Sequence, residues 1–163
     1  MTANPHNFTL NHTMLRVKDP EKSLAFYCGV LGMTLLRKAD IEAGEFSLYF
    51  LGFTSGEGEV PEGDAEATHY VFSRQGVLEL THNWGTEDED GPVYHDGNAE
   101  PQGFGHLALD VPDLEAAVAH FDAHDVTFQK RPEDGMMRHI AFIKDPDGYW
   151  IEILSAKAMA GLG

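Results

Sequence analysis

Basic residues and cysteine are what this chain has least of. Eleven Lys and Arg stand against 27 Asp and Glu, a formal net charge of −16 over 163 residues. Such a chain repels nucleic acid and anionic membranes, so neither is expected as a partner. The same field opposes small anionic substrates, except where basic side chains are gathered locally. The one cysteine, Cys28, excludes an internal disulfide. Within an apolar helical pattern it is expected to be a buried, inert thiol. No apolar run approaches the roughly 18 residues of a membrane-spanning helix. The opening MTANPHNFTLNH lacks a basic region followed by an apolar one. No signal peptide is therefore expected, the cytoplasm is the expected compartment, and the Asn7-Phe8-Thr9 and Asn11-His12-Thr13 triplets match a glycosylation acceptor by chance. Thiolate chemistry, a phosphate-cradling glycine loop and a Ser-His-Asp arrangement are likewise unsupported.

What is present suffices for a core. Hydrophobic residues make up 42% of the chain, with two Trp and ten Phe. The length suits one domain, or two small modules sharing a core. The acids cluster in EGEVPEGDAE (57–66) and EDED (87–90). Both runs have the composition of solvated loops, and solubility is their expected role.

The chain writes one pattern twice. When HTMLRVKDPEKSLAFY is laid on HLALDVPDLEAAVAHF, His106 falls on His12, Leu109 on Leu15, Val111 on Val17, Asp113 on Asp19 and Phe121 on Tyr27. Each copy opens with a strand and passes through an aspartate suited to N-cap a helix; in the first copy Pro20 follows as a good first helical residue. Leu24, Tyr27, Val30 and Leu31 recur at helical spacing, as do Leu114, Ala117, Val118 and Phe121, and Gly32 can end the first helix. Strands are expected at 45–53, 68–73 and 76–82 in the first copy and at 139–145 and 149–155 in the second. Asp145-Pro146-Asp147-Gly148 forms a tight turn between the last two. Two such units, strand–helix–three strands each, are too few and too long for a solenoid.

Each copy also carries one glutamate in its otherwise apolar last strand, Glu79 in GVLELTH and Glu152 in GYWIEILS. The wider His-to-Glu spacing of the first copy falls where its acidic, Gly-rich insertion lies. Taken singly, a strand histidine is usually a satisfied core or surface residue, and a glutamate between apolar neighbours usually faces water. Taken together, His12, Glu79, His106 and Glu152 are two imidazoles and two carboxylates at repeat-related positions. That is the donor set of a metal site, borderline to hard, suited to Zn, Ni, Co or Fe(II). The remaining histidines, His6, His69, His82, His95, His120, His124 and His139, have no repeat partner and read as ordinary surface or helix residues.

On the stretches TMLRVKDPEKSLAFY, GMTLL, FSLYFLGF, LELTHNWGTE, GFGHLAL and FIKDPDGYWIEIL, the chain resembles the glyoxalase I family of the vicinal oxygen chelate superfamily, from about residue 13 to 154. The resemblance implies an α+β fold of two βαβββ modules, 8–100 with the insertion and 101–156, paired to form curved sheets around a metal site. It implies isomerisation of the hemithioacetal of methylglyoxal and glutathione to S-lactoylglutathione through an enediolate. One divalent metal per site would be held by His12, Glu79, His106 and Glu152, with Glu152 as the base and Glu79 as its counterpart on the other face of the substrate. Zinc is the expected metal. Nickel, which short family members with histidine at the first ligand position prefer, and cobalt are the alternatives. Family contacts to glutathione map onto Arg16 and Asn83 for the glutamyl end, and onto Lys130 and the backbone near Met136 and Met137 for the glycyl end. His106 also borders the substrate. Gln102 stands where the family has an arginine. The family is typically homodimeric, its sites built from modules of two chains, so that His12 and Glu79 would meet His106 and Glu152 of the partner. Two rivals are an iron-dependent extradiol-type dioxygenase on the same fold, which needs only two histidines and one carboxylate, and a non-catalytic small-molecule binder, which needs no metal ligands.

Overall fold

The computed structural model describes residues 4–55 and 59–161. They fall into two compact units, Met1–Val93 and Tyr94–Gly163, built on one plan. In the first, β1 (His12–Arg16) leads into α1 (Pro20–Leu24), which runs on as a wider helical turn over Ala25–Val30. Strands β2 (Thr34–Ile41) and β3 (Phe46–Gly52), helix α2 (Asp64–Phe72) and strand β4 (Val77–Asn83) follow. The sheet order is β1-β4-β3-β2, with β1 parallel to β4 and the other pairs antiparallel. The second unit has β5 (His106–Asp110), α3 (Leu114–Ala123), β6 (Phe128–Lys130), β7 (Ile140–Lys144) and β8 (Trp150–Leu154), in the order β5-β8-β7-β6 with β5 parallel to β8. A short helix α4 (Ala156–Ala160) closes the described chain. The architecture is α+β, with two four-stranded mixed sheets in two βαβββ arrangements, as expected.

The helix starts obey their local chemistry. The Asp19 carboxylate accepts the backbone N–H groups of Glu21 and Lys22, and Pro20 occupies a position whose N–H has no helical acceptor. The Asp113 carboxylate accepts from Ala116 N–H at 2.9 Å. Each cap contributes about 1 kcal/mol. Gly32, at φ +77°, takes the left-handed conformation that ends the first helix, and Gly148, at φ +91°, does the same in the β7–β8 turn. That turn is closed by Gly148 N–H on the Asp145 carbonyl, with the Asp145 carboxylate accepting from Asp147 and Tyr149 N–H.

Pleating splits each sheet into two chemically different faces. One face of the first sheet carries Leu15, Leu80, Tyr49 and Leu51, all buried. Burying each of these contributes roughly 1.5–3 kcal/mol. The other carries His12, Met14 and Arg16 from β1 beside Val77, Glu79, Thr81 and Asn83 from β4. In the second sheet Ile143, Ile151 and Ile153 are buried on one face, while His106, Ala108, Trp150, Glu152 and Leu154 share the other, where none is fully buried.

The structure corrects several expectations. Residues 68–72 belong not to a strand but to α2, with Ser73 its C-cap, and Ala67 and Val71, one helical turn apart, are buried. Val71 packs with Leu36, Phe50 and Val77, so α2 covers one end of the His12 face. Aromatic and β-branched content misled here because tertiary packing overrides strand propensity. The strand after the first helix is instead β2, whose alternation is broken by a bulge between Leu35 and Arg37. Strand β6 is three residues long and too short to be legible. Residues 64–66 of the acidic run are the first turn of α2, where Asp64 and Glu66 complement the helix dipole; residues 57 and 58 lie outside the described residues. Cys28 is half-buried rather than buried, and its partial burial pushes the thiol pKa up. No described helix is long and apolar enough to cross a membrane.

Candidate metal centre

The two modules place their His and Glu by the same register. His12 lies opposite Val77, and Glu79 is two residues further along β4. His106 lies opposite Trp150, and Glu152 is two residues further along β8. In a parallel pair this offset puts both side chains on one face, one pleat apart. His12 Nε2 and Glu79 Oε2 are 3.1 Å apart, and His106 Nε2 and Glu152 Oε2 are 3.2 Å apart. The carboxylates are the more enclosed partners: side-chain exposure is 14% for Glu79 and 17% for Glu152, against 33% and 40% for the histidines.

The geometry of each pair, taken by itself, fits two donors to one divalent ion. Donors about 2.1 Å from a common metal stand about 3.0 Å apart at a right angle and about 3.4 Å apart at the tetrahedral angle, and both observed separations fall in that interval. Neutral imidazole nitrogen and carboxylate oxygen are the donors that zinc and its neighbours take. Each module supplies two such donors, and among the described residues no group of three or more His, Cys, Asp or Glu gathers.

The surroundings of the two pairs differ. Asn11 Nδ2 donates to the carbonyls of Val71 (3.0 Å) and Arg74 (2.8 Å), so Asn11 Oδ1 faces His12 Nδ1 at 2.7 Å as an acceptor. Phe50 and Phe72 meet the His12 ring edge-on, and Thr81 Oγ1 donates to Glu79 Oε1 at 3.3 Å. At the corresponding points the second module has Gly105 before His106 and Leu154 two residues after Glu152. Phe142 packs edge-on to His106 and tilts against Trp150, giving this pair an apolar wall. Neither Asn11 nor Thr81 was singled out from sequence. The legible signals were adjacency to the candidate ligand His12 and the Glu-x-Thr spacing along one strand face.

The expected substrate contacts occupy distinct places. Arg16 lies opposite Thr81, with Asn83 two residues on, so Arg16 and Asn83 repeat the His12–Glu79 relation four residues further along. That is about 13 Å along the strands. Gln102 is exposed in the segment before β5. Lys130 Nζ donates to the carbonyls of Arg131 (3.0 Å), Met137 (2.7 Å) and Ile140 (3.2 Å), and so clasps the base of the 131–139 loop. At the tip of that loop Met136 is 97% exposed.

One histidine was misread. His82 is not a surface residue: it is 5% exposed, on the opposite face of β4 from Glu79, with Nε2 2.6 Å from Glu87 Oε2. Glu87 Oε2 also accepts from Gly85 N–H. Donation by its own backbone N–H, then by His82, holds the Glu87 carboxyl below the usual carboxylate value. Part of the second acidic run is thus a latch closing the turn after Asn83.

Two His–Glu pairs at one strand register, on two βαβββ modules, define an α+β protein of the two-module class. Residues 9–153 match the Glyoxalase/Bleomycin resistance protein/Dioxygenase superfamily, and the chain belongs to that family. It is 56% identical to the lactoylglutathione lyase of Pseudomonas aeruginosa, over 96% of this chain and 87% of that one. It is 48% identical to the lactoylglutathione lyase of Schizosaccharomyces pombe, over 95% of this chain and 47% of that longer protein. Among solved structures it resembles glyoxalase I of Leishmania major, described as trypanothione-dependent, at 35% identity and a TM-score of 0.70, covering 96% of this chain and 92% of that one.

Proposed function

We infer that the chain is a lactoylglutathione lyase, a glyoxalase I that converts the hemithioacetal of methylglyoxal and glutathione to S-lactoylglutathione and so removes methylglyoxal. The carrying observation is the pair of His–Glu half-sites at identical strand register, in a chain 56% identical to a lactoylglutathione lyase over nearly its whole length. His12, Glu79, His106 and Glu152 would hold one divalent metal, with zinc the proposed ion and nickel or cobalt the alternatives. When bound, the metal supplies positive charge at the two substrate oxygens, where negative charge develops.

The chain's own residues move the proton. Glu152 takes it from the carbon bearing the sulfur and returns it to the neighbouring carbon; no group is lost and no oxidant is needed. The assignment is supported by the surroundings of the two carboxylates. A hydroxyl engages Glu79 Oε1, whereas Glu152 lies beside Leu154 and Phe142 with no donor to its Oε1 among the described residues. Arg16 and Asn83 would bind the glutamyl end of glutathione, remote from the reacting carbons. Lys130, by organising the 131–139 loop, would present the backbone near Met136 and Met137 to the glycyl end. Each module has two of the four metal donors, so a four-donor site needs a first and a second module. We place them on two chains of a homodimer, in the cytoplasm, where a lone thiol stays reduced.

The test is incubation with methylglyoxal and glutathione, following thioester absorbance after loading with zinc, nickel or cobalt. No thioester with any of the three would refute the activity.

A further inference from the structure

We propose that Asn11 is a positioning residue, which holds His12 with its proton on Nδ1 and its Nε2 lone pair turned toward Glu79, and that α2 is what holds Asn11 in place. The inference rests on His12 being a metal ligand. Its geometry is complete in the first module alone. Both Asn11 amide hydrogens are committed to carbonyl oxygens, those of Val71 and Arg74 at the C-terminal end of α2. A flipped amide would set Oδ1 against two acceptors, so the orientation is determined by its partners. Asn11 Oδ1 can then only accept, and the ring nitrogen 2.7 Å away must be the donor. With Nδ1 protonated, neutral His12 has its lone pair on Nε2, the atom that faces Glu79 Oε2. The Asn11 carbonyl also accepts from Val77 N–H, which ties the same residue to β4, the strand that carries Glu79.

Of the carbonyls that hold Asn11, that of Val71 lies in the last turn of α2 and also accepts from Arg74 N–H, and that of Arg74 lies two residues beyond the end of the helix. The insertion between β3 and β4, absent from the second module, thus supplies the support for the first histidine. The second module joins β7 to β8 by a tight turn, has Gly105 in place of Asn11, and among the described residues no side chain caps His106 Nδ1. The first half-site is preorganised for a metal and the second is left to adjust.

The wild-type protein carries its own control. In metal-free full-length chain at about pH 9, well above the ordinary imidazole value, ¹⁵N shifts should show His12 protonated on Nδ1 and His106 without that preference. Asn11→Ala should abolish the His12 preference and weaken Zn²⁺ binding, measured by chelator competition, by about 10-fold to 100-fold. Asn11→Asp keeps an acceptor for Nδ1 but loses both donations to the Val71 and Arg74 carbonyls. It should melt at a lower temperature while binding Zn²⁺ more tightly than Asn11→Ala. A merely structural role would move melting temperature and leave Zn²⁺ affinity and tautomer alone. His12 protonated on Nε2 in the wild type would overturn the proposal; so would wild-type affinity in Asn11→Ala, or equal losses in the two variants. His12→Ala separates this from the ligand assignment. If that variant keeps Zn²⁺ affinity, His12 is no ligand; if it loses affinity while Asn11→Ala does not, only the role of Asn11 falls.

Discussion

Glu152→Gln tests the chemistry at its centre. Glutamine has the same shape, so its side-chain oxygen can stay near the 3.2 Å position that Glu152 Oε2 holds against His106 Nε2. What it loses is the capacity to take a proton at neutral pH. Positioned proton transfer contributes about 10²–10⁴ in rate, so kcat should fall by that factor, a barrier increase of about 3–5.5 kcal/mol. The module asymmetry sharpens the expectation. Glu79 already accepts the Thr81 hydroxyl, while the equivalent neighbour of Glu152 is Leu154. An extra hydrogen bond to the charged form is worth about 1.5 kcal/mol, or roughly tenfold. Glu79→Gln should therefore cost at least about tenfold less in kcat than Glu152→Gln. The assay is thioester formation at saturating zinc, with metal content and circular dichroism recorded on the same samples, since loss of a carboxylate also loosens the metal. A folded, zinc-loaded Glu152→Gln within tenfold of wild-type kcat would refute the base assignment. A larger loss in Glu79→Gln would reverse the two roles.

Three further outcomes are expected. Mixing inactive His12→Ala with inactive Glu152→Ala subunits should restore activity, because one site of the mixed dimer carries both lesions and the other neither; no recovery in mixed dimers verified by mass would place each site within one chain. Gln102→Arg should lower KM for the hemithioacetal about 5-fold to 30-fold with kcat little changed, because a charge-assisted clamp replaces neutral hydrogen bonds far from the reacting carbons; an unchanged or raised KM would mean that Arg16 or Lys130 already answers the substrate carboxylate, or that the natural thiol is not glutathione. The Glu87 carboxyl is held below its ordinary value, so its contribution is complete above the unfolded value of about 4.3 and is lost as pH falls through the folded one; the stability advantage of wild type over Glu87→Gln, read by urea unfolding, should shrink from pH 6 to pH 3, and a constant difference would remove Glu87 from the latch.

The doubled strand–helix pattern, the aspartate caps at Asp19 and Asp113, the Asp145–Gly148 turn and the four candidate metal donors were all legible in the linear chain. Each depends on rules readable along the chain: helical spacing, cap chemistry, the conformational freedom of glycine, and a repeat that sets like residues in like places. Other features were decided by packing over long sequence separations. Residues 68–73 carry strand-forming side chains, yet 68–72 are helical, with Val71 buried against Leu36, Phe50 and Val77. His82 shows no pattern of its own, and only the fold of the 83–88 turn brings Glu87 to its ring. Asn11 sits next to His12 in sequence, but its orientation is dictated by two carbonyls some sixty residues away. Sequence alone named the side chains that are candidates for the chemistry. The tertiary structure alone decided how they are aimed, because direction comes from hydrogen-bond partners and buried contacts that meet only once the chain has folded.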